Sequence, residues 1–318
     1  MKEAIIISVS ILAVLIVGLL IGSLYAYIQA FYSPKIGKRK PNALDFLSKE
    51  DYKEVKEVMI KLTERINAIA FEEIRIKSYD GLELFGRYYH VKDGAPLQIQ
   101  IHGYKGYAFR DFCGGHKLAT DCEHNILLVD QRAHGLSEGH TITFGIKEAR
   151  DALSWCQYAS KRFGEIPIFL VGVSMGASTV IGASRLDLPK NVKGIIADCP
   201  FSSPKEIIKK VCGDMGLNPT LTYPLVKLGA ILFGHFNPDS FSCSQAVKDA
   251  KTKILILHGE SDSFVPCEMS RKIYESCVSE CFLYTFEGAD HGLSFLADPD
   301  KYKKAVSDFI NLCLEVKQ

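Results

Sequence analysis

The chain has 318 residues, 47% of them hydrophobic, and its 38 Lys and Arg nearly balance 37 Asp and Glu for a formal net charge of +1. That length accommodates one large α/β domain with additions, or two modest domains, with a sizeable core. The basic residues are scattered among acids, so nothing calls for nucleic acid, and the ten cysteines show neither paired zinc-type CxxC spacing nor a regular disulfide framework and read as buried apolar thiols.

From Ala4 to about Tyr27 no residue is charged and Ile, Leu and Val dominate. At 1.5 Å per residue such a helix crosses a hydrocarbon layer of about 30 Å. A cleaved signal peptide has a shorter apolar core and small residues at A-x-A spacing. Here the run is long, and Tyr25, Tyr27 and Gln29 occupy its end, so residues 1–30 are expected to form an uncleaved transmembrane anchor. Lys35, Lys38, Arg39 and Lys40 follow the span, whereas Lys2 before it is offset by Glu3. The positive-inside rule therefore favours a cytoplasmic domain on a single-pass membrane protein, and unpaired thiols favour the same reducing side.

Between Asn42 and Ala70, apolar residues such as Leu47, Val55, Met59, Leu62 and Ile66 recur at spacings of three and four among charges. Residues 31–70 are thus expected to be a juxtamembrane linker and an amphipathic helix. Next, 73–76 and 82–88 flank Tyr79-Asp80-Gly81, an antiparallel hairpin with a D-G turn. The rhythm then changes to buried strands ending near Ile101, Val129, Val171, Ala197, Leu257 and Phe286. Helical stretches alternate with them around 146–163, 175–185, 268–278 and 301–316. This order predicts a mostly parallel sheet with helices on both faces. One interval departs from it: between Asp198 and Lys251 lie about fifty residues with five prolines and an apolar stretch, far longer than an ordinary βα connection. The excess, residues 201–250, is expected to form a cap.

Gly172-Val173-Ser174-Met175-Gly176 follows one apolar run and opens a small-residue segment, a strand, turn and helix. A G-x-S-x-G turn makes a nucleophile when it is sharp enough to hold the serine proud of the strand end, with glycines where side chains would collide. A serine hydroxyl also needs a base and a carboxylate to orient that base. His291, in the loop after the last strand, is placed to be the base, and Asp262, directly after the run 254–257, the carboxylate. Asp198 at another strand end and Asp290 beside the histidine compete for that role, Asp290 as the better candidate for capping its loop. Oxyanion donors are expected from backbone N–H groups: Met175, at a helix N-terminus, and Tyr104, in the loop His102-Gly103-Tyr104-Lys105-Gly106.

His102-Gly103-Tyr104, Asp130-Gln131-Arg132-Ala133-His134-Gly135, the Ser174 turn, Asp262 and His291 together resemble the α/β-hydrolase superfamily. Within it they look most like the bacterial membrane-anchored branch grouped with serine aminopeptidase-like and Bem46-like hydrolases. The resemblance covers residues 71–316 and implies an α/β-hydrolase fold of about eight mostly parallel strands with a helical cap insertion. It implies structural roles for Asp130 and His134, and the family's glycine is replaced by Ala133. It also implies a serine hydrolase cleaving an ester or related acyl bond through an acyl-enzyme, with no metal or organic cofactor and a small acyl compound, a lipidic one included, as substrate. Two other readings stay open. One is an aminopeptidase, which needs a cap carboxylate such as Asp214 or Asp239 for a substrate ammonium; the other is an inactive, membrane-tethered interaction module. Cys113, His116, Cys122 and His124 are metal-capable but lack tetrahedral spacing. Tyr223, Leu225, Phe233, Phe236 and Phe241 are expected either to pack the cap or to line an acyl pocket.

Overall fold

The computed structural model describes residues 1–34 and 55–315. The basic cluster Lys35 to Lys40 and the first part of the amphipathic stretch, 42–54, lie outside them. In chain order the elements begin with helices α1 (Lys2–Ala30) and α2 (Lys56–Asn67), hairpin β1 (Glu72–Lys77) and β2 (Glu83–Tyr89), and β3 (Leu97–Ile101). Helices α3 (Ala108–Asp111) and α4 (Cys113–Asp121), then β4 (Asn125–Val129), α5 (Glu148–Phe163), β5 (Ile168–Val173), α6 (Met175–Ala183) and β6 (Val192–Asp198) follow. Between β6 and β7 (Lys253–Gly259) come α7 (Pro204–Asp214), α8 (Pro219–Gly234) and α9 (Cys243–Ala246). The chain closes with α10 (Cys267–Ser276), β8 (Cys281–Phe286), α11 (Ser294–Ala297) and α12 (Pro299–Cys313).

The eight strands form one sheet in the order β1-β2-β4-β3-β5-β6-β7-β8. β1, β2 and β4 pair antiparallel and every later neighbour is parallel. The central strands β3 and β4 are buried throughout, as strands covered on both faces must be. Ala152, Trp155 and Cys156 of α5, Val180 and Ile181 of α6 and Ile273 of α10 pack with one face. Leu118 of α4 and Phe309 and Ile310 of α12 pack with the other, where Met59 and Ile66 of α2 also lie buried. Within the stretch 31–70, helix α2 covers Lys56–Asn67.

Helix α1 is long and apolar enough to cross a membrane, and its most apolar window is wholly exposed. Its last turns are not. Gly22, Ser23 and Tyr27 lie against Leu225, Gly229 and Gly234 of α8, and Phe31 is fully buried with its ring edge-on to Phe144 and Phe236. Residues beyond the helix continue this docking: Tyr32 bridges to Thr141, Ser33 N–H donates to His140 O at 2.8 Å, and Ile142 N–H to Phe31 O at 2.8 Å. Small residues let the two helix backbones approach, since a Cβ on Gly229 would lie 2.3 Å from the Ser23 carbonyl oxygen.

Candidate active site

The turn after β5 is built for close approach. A Cβ at Gly172 would lie 2.2 Å from Gly176 O, and one at Gly176 1.9 Å from Ile101 O. With both positions reduced to backbone, Ser174 is held at φ 56, ψ −119, a conformation that costs an L-residue about 1–3 kcal/mol. Its N–H donates to Asp198 O at 2.8 Å, which locks the turn to the end of β6. Met175 then starts α6, so its N–H belongs to the first turn, which has no intrahelical acceptor.

Across the turn, His291 Nε2 lies 2.9 Å from Ser174 Oγ and its Nδ1 2.7 Å from Asp262 Oδ2. A carboxylate only accepts, so Nδ1–H donates to Asp262 and Nε2 is left as acceptor for the serine hydroxyl. Asp262 is 6% exposed. Burial would raise its pKa, but hydrogen bonds from His258 and His291, the His291 charge and the Val265 N–H outweigh it and hold the carboxyl well below the usual range. Its second oxygen takes the N–H groups of Phe264 at 3.0 Å and Val265 at 2.7 Å.

His258 has no role that the sequence alone predicts. It is fully buried, with Nε2 2.8 Å from Val265 O and 3.2 Å from Asp262 Oδ2 and Nδ1 2.6 Å from Ser270 Oγ. The carbonyl requires Nε2–H, so Nδ1 accepts from the Ser270 hydroxyl. The only signal in the sequence was its place four residues before Asp262, at the end of the same strand.

Of the competing carboxylates, Asp290 accepts from Ser263 N–H and from His291 N–H, each at 2.8 Å. It ties the Asp262 loop to the His291 loop. Asp198 accepts from Tyr302 Oη–H at 3.0 Å and meets Ser294 Oγ at 3.5 Å, and makes no hydrogen bond to His291 among the described residues.

The loop 102–106 faces Ser174, and a Cβ on Gly103 would sit 3.3 Å from the serine Cβ. Two buried histidines shape it. His102 Nδ1–H donates to Gly103 O at 2.8 Å while Nε2 accepts from Gln131 N–H at 3.1 Å. His134 Nδ1–H donates to Arg132 O at 2.9 Å while Nε2 accepts from Lys105 N–H at 3.0 Å. Each ring must stay neutral to accept as well as donate, and burial pulls the His134 pKa down to about 3 and lowers that of His102. Asp130 is gripped by Arg87 at 3.0 Å and by Leu136 N–H at 3.0 Å. Ala133 holds the turn at φ 63. Tyr104 N–H has no protein acceptor among the described residues, and Tyr104 lines the same cleft as Ser174.

Tyr104, Ser174 and His291 line one cleft of about 450 Å³, with Met59, Phe264 and Leu293. From the α7 side the cleft is lined by Lys210 and Asp214, which pair at 2.6 Å. The aromatics of the inserted segment are elsewhere: Tyr223 and Phe236 are buried in a cluster with Tyr27 and Phe31, and Phe241 packs on α6 at Gly182. They pack the insertion onto the domain and do not line the cleft. Cys113, His116, Cys122 and His124 are not brought together either. His116 meets Arg65 and the Tyr89 ring, His124 meets Gln98 and the Phe169 ring, and Cys122 is exposed.

The strand order is that of the α/β-hydrolase fold, and a serine, a histidine and a carboxylate converge at the C-terminal edge of the sheet. A family model described as "Serine aminopeptidase, S33" matches residues 99–239, and one described as "Serine hydrolase (FSH1)" matches residues 193–293. Among curated proteins, the chain is similar to the uncharacterized protein YqkD of Bacillus subtilis (strain 168), 25% identical over 61% of this chain and 64% of that one. It is also similar to human Protein ABHD12B, 27% identical over 58% of this chain and 51% of that one. A further relative is lysophosphatidylserine lipase ABHD12 of Danio rerio, 26% identical over 57% and 47%. The chain thus spans less than two thirds of the length of these relatives. Among solved structures, the Pyrococcus furiosus esterase Pf2001 superimposes with TM-score 0.63 at 22% identity, covering 78% of this chain and 92% of that one. Est1E from Butyrivibrio proteoclasticus, solved with ferulic acid, gives 0.58 at 21% identity, covering 76% and 99%. The chain has the α/β-hydrolase fold, and two serine-hydrolase family models each match a part of it.

Proposed function

We propose that the protein is a membrane-anchored serine hydrolase that cleaves an ester or related acyl bond through an acyl-enzyme intermediate. The observation that carries this reading is the single His291 ring standing 2.9 Å from Ser174 Oγ and 2.7 Å from Asp262 Oδ2. In the proposed reaction Ser174 Oγ attacks the carbonyl carbon while His291 Nε2 takes its proton, and Asp262 holds the imidazole and stabilises the cation that forms. The tetrahedral oxyanion is received by the N–H groups of Met175 and Tyr104. His291 then gives its proton to the leaving alcohol oxygen as the C–O bond breaks. Water, deprotonated by the same nitrogen, attacks the acyl carbon and releases the acid with Ser174 reprotonated.

An ester fits the cleft better than an aminoacyl amide. A substrate ammonium needs an unmatched carboxylate, but Asp214 is paired with Lys210 and Asp239 with Tyr223 and Lys227. A small acyl compound with a lipidic chain agrees with the lipase and esterase names of the relatives. Anchoring through an uncleaved α1 is supported by Tyr27, which is buried in one cluster with Phe31 and residues of the domain, so that cleavage after Ala30 would strip it from that cluster. The cytoplasmic side is favoured by the charges after the span.

The test uses the full chain in detergent micelles, treated with a fluorophosphonate and mapped by mass spectrometry. A covalent adduct on Ser174, absent in Ser174→Ala, is the expected result. A folded protein that takes up no probe at Ser174 overturns the nucleophile assignment.

A further inference from the structure

The segment between β6 and β7 carries an apolar end that no part of the described chain covers. Met215 and Leu217, in the α7–α8 turn, and Leu221, in the first turn of α8, are 69%, 44% and 72% exposed. Helix α8 holds a single charged residue, Lys227, in sixteen. A helix that is apolar on nearly all sides is covered by protein or by lipid, and on one side α8 already has a neighbour, α1.

That neighbour fixes where the exposed end points. The contacts run Gly22 to Leu225, Ser23 to Gly229 and Tyr27 to Gly234, so the two helices run in the same direction. The beginning of α8 therefore points back along α1, toward its exposed apolar length. Leu221 lies four residues before Leu225, about 6 Å further that way, which sets it level with about Gly18 of α1. A hydrocarbon layer of about 30 Å takes about 20 residues, and the last charge before the span is Glu3, so the layer extends to about Ser23. Tyr25 and Tyr27 follow at the level where interfacial aromatics belong.

We propose that the α7–α8 tip, through Met215, Leu217 and Leu221, is inserted in the lipid leaflet beside α1, as a second membrane contact of the domain. Helix α7, which ends at this tip, brings Lys210 and Asp214 to the cleft of Ser174. The cleft mouth is then held at the bilayer surface, and an amphiphilic acyl substrate reaches it from the same leaflet. This inference rests on reading α1 as a membrane anchor, and its test separates the two.

The full chain is reconstituted into phosphatidylcholine vesicles containing acyl-chain-brominated phosphatidylcholine, which quenches tryptophan within the hydrocarbon. The native Trp155 is 1% exposed inside the domain and supplies a constant background. Leu221→Trp and, separately, Met215→Trp report on the tip, and Ile11→Trp on the anchor. The expected result is loss of the added emission in all three variants. Quenching at Ile11→Trp with none at either tip position overturns the proposal and leaves the anchor standing, whereas no quenching in any variant overturns both. Tip emission shielded from bromolipid and also from aqueous acrylamide means that a protein or a second copy covers the tip, which likewise overturns insertion.

Discussion

The Tyr104 hydroxyl donates to the carbonyl oxygen of Ala30 at 2.9 Å, joining the loop that faces Ser174 to the last residue of the apolar N-terminal helix. Lys105 Nζ reaches Gln29 O at 3.0 Å beside it. The end of α1 is therefore part of the wall that holds the proposed oxyanion donor.

Tyr104→Phe removes that one hydrogen bond, worth about 1 kcal/mol, and leaves the backbone N–H in place. We expect kcat toward an ester to fall about two- to tenfold with KM little changed. Phe31→Ala, which empties a fully buried aromatic site, is expected to cost about 3–5 kcal/mol in urea unfolding of the detergent-solubilised protein. Wild-type values for both variants would show that α1 and the cleft are independent.

Asp262→Asn keeps an oxygen for the Phe264 and Val265 N–H groups but no longer accepts two charged or N–H donors at Oδ2. The imidazole then loses the partner that fixes Nδ1–H. Turnover should drop about 10⁴-fold, measured as steady-state hydrolysis, with fluorophosphonate labelling slowed in parallel. A loss under tenfold would assign the orienting role elsewhere.

Ser174 pays for its position in backbone strain. Both Ser174→Ala and Ser174→Gly should be inactive, but only glycine adopts φ 56, ψ −119 without a Cβ penalty. The glycine variant should be more stable than the alanine variant by about 1 kcal/mol, net of its greater unfolded-state freedom. Equal melting temperatures would mean that the elbow relaxes when the hydroxyl is gone.

Burial pushes the Asp198 carboxyl up to about 6, against the Tyr302 hydrogen bond and the charges of His258 and His291, which lower it. Its unfolded pKa is near 3.9. With the folded value the higher, the native state binds more protons between these limits, so this group's contribution to stability falls as pH rises from about 4 to 6 and is constant above. Asp198→Asn retains an acceptor for Tyr302 and should gain stability over wild type across that window, levelling at on the order of 2–3 kcal/mol near neutrality. Thermal melts at pH 4, 5, 6 and 7 measure it; a difference that does not grow between pH 4 and 6 contradicts the argument.

The turn after β4 offers a paired test. Ala133 sits at φ 63, so Ala133→Gly should stabilise by up to about 1 kcal/mol. Gly135→Ala should do the opposite, by about 3 kcal/mol or more, because its Cβ would fall 2.2 Å from Asp130 Oδ2 and displace the carboxylate from Arg87 and Leu136. Chemical denaturation of the two variants gives the signs directly.

Much of this was legible in the sequence because local chemistry forces it. Glycines on both sides of Ser174, at the close of one apolar run and the start of a small-residue helix, specify the elbow, and the alternation of apolar runs with helical periods specifies a parallel sheet. His291 and Asp262 were placed by the same logic, each just beyond a strand end. The length and apolarity of residues 4–27 likewise specify a helix able to span a bilayer.

What the chain alone did not reveal depends on contacts between residues far apart in sequence. His258 beneath Asp262 and the neutral pair His102 and His134 behind the loop are defined by hydrogen bonds, and no local pattern encodes which nitrogen donates. The aromatics of the 201–250 insertion could have faced the cleft or the domain, since one apolar face serves either end; packing against Phe31, Tyr27 and Gly182 decided it. The docking of α1 on α8 likewise comes from Gly22, Ser23 and Gly229 meeting across 200 residues of intervening chain. Small residues carry no signal in a sequence until the surface they allow to approach is known.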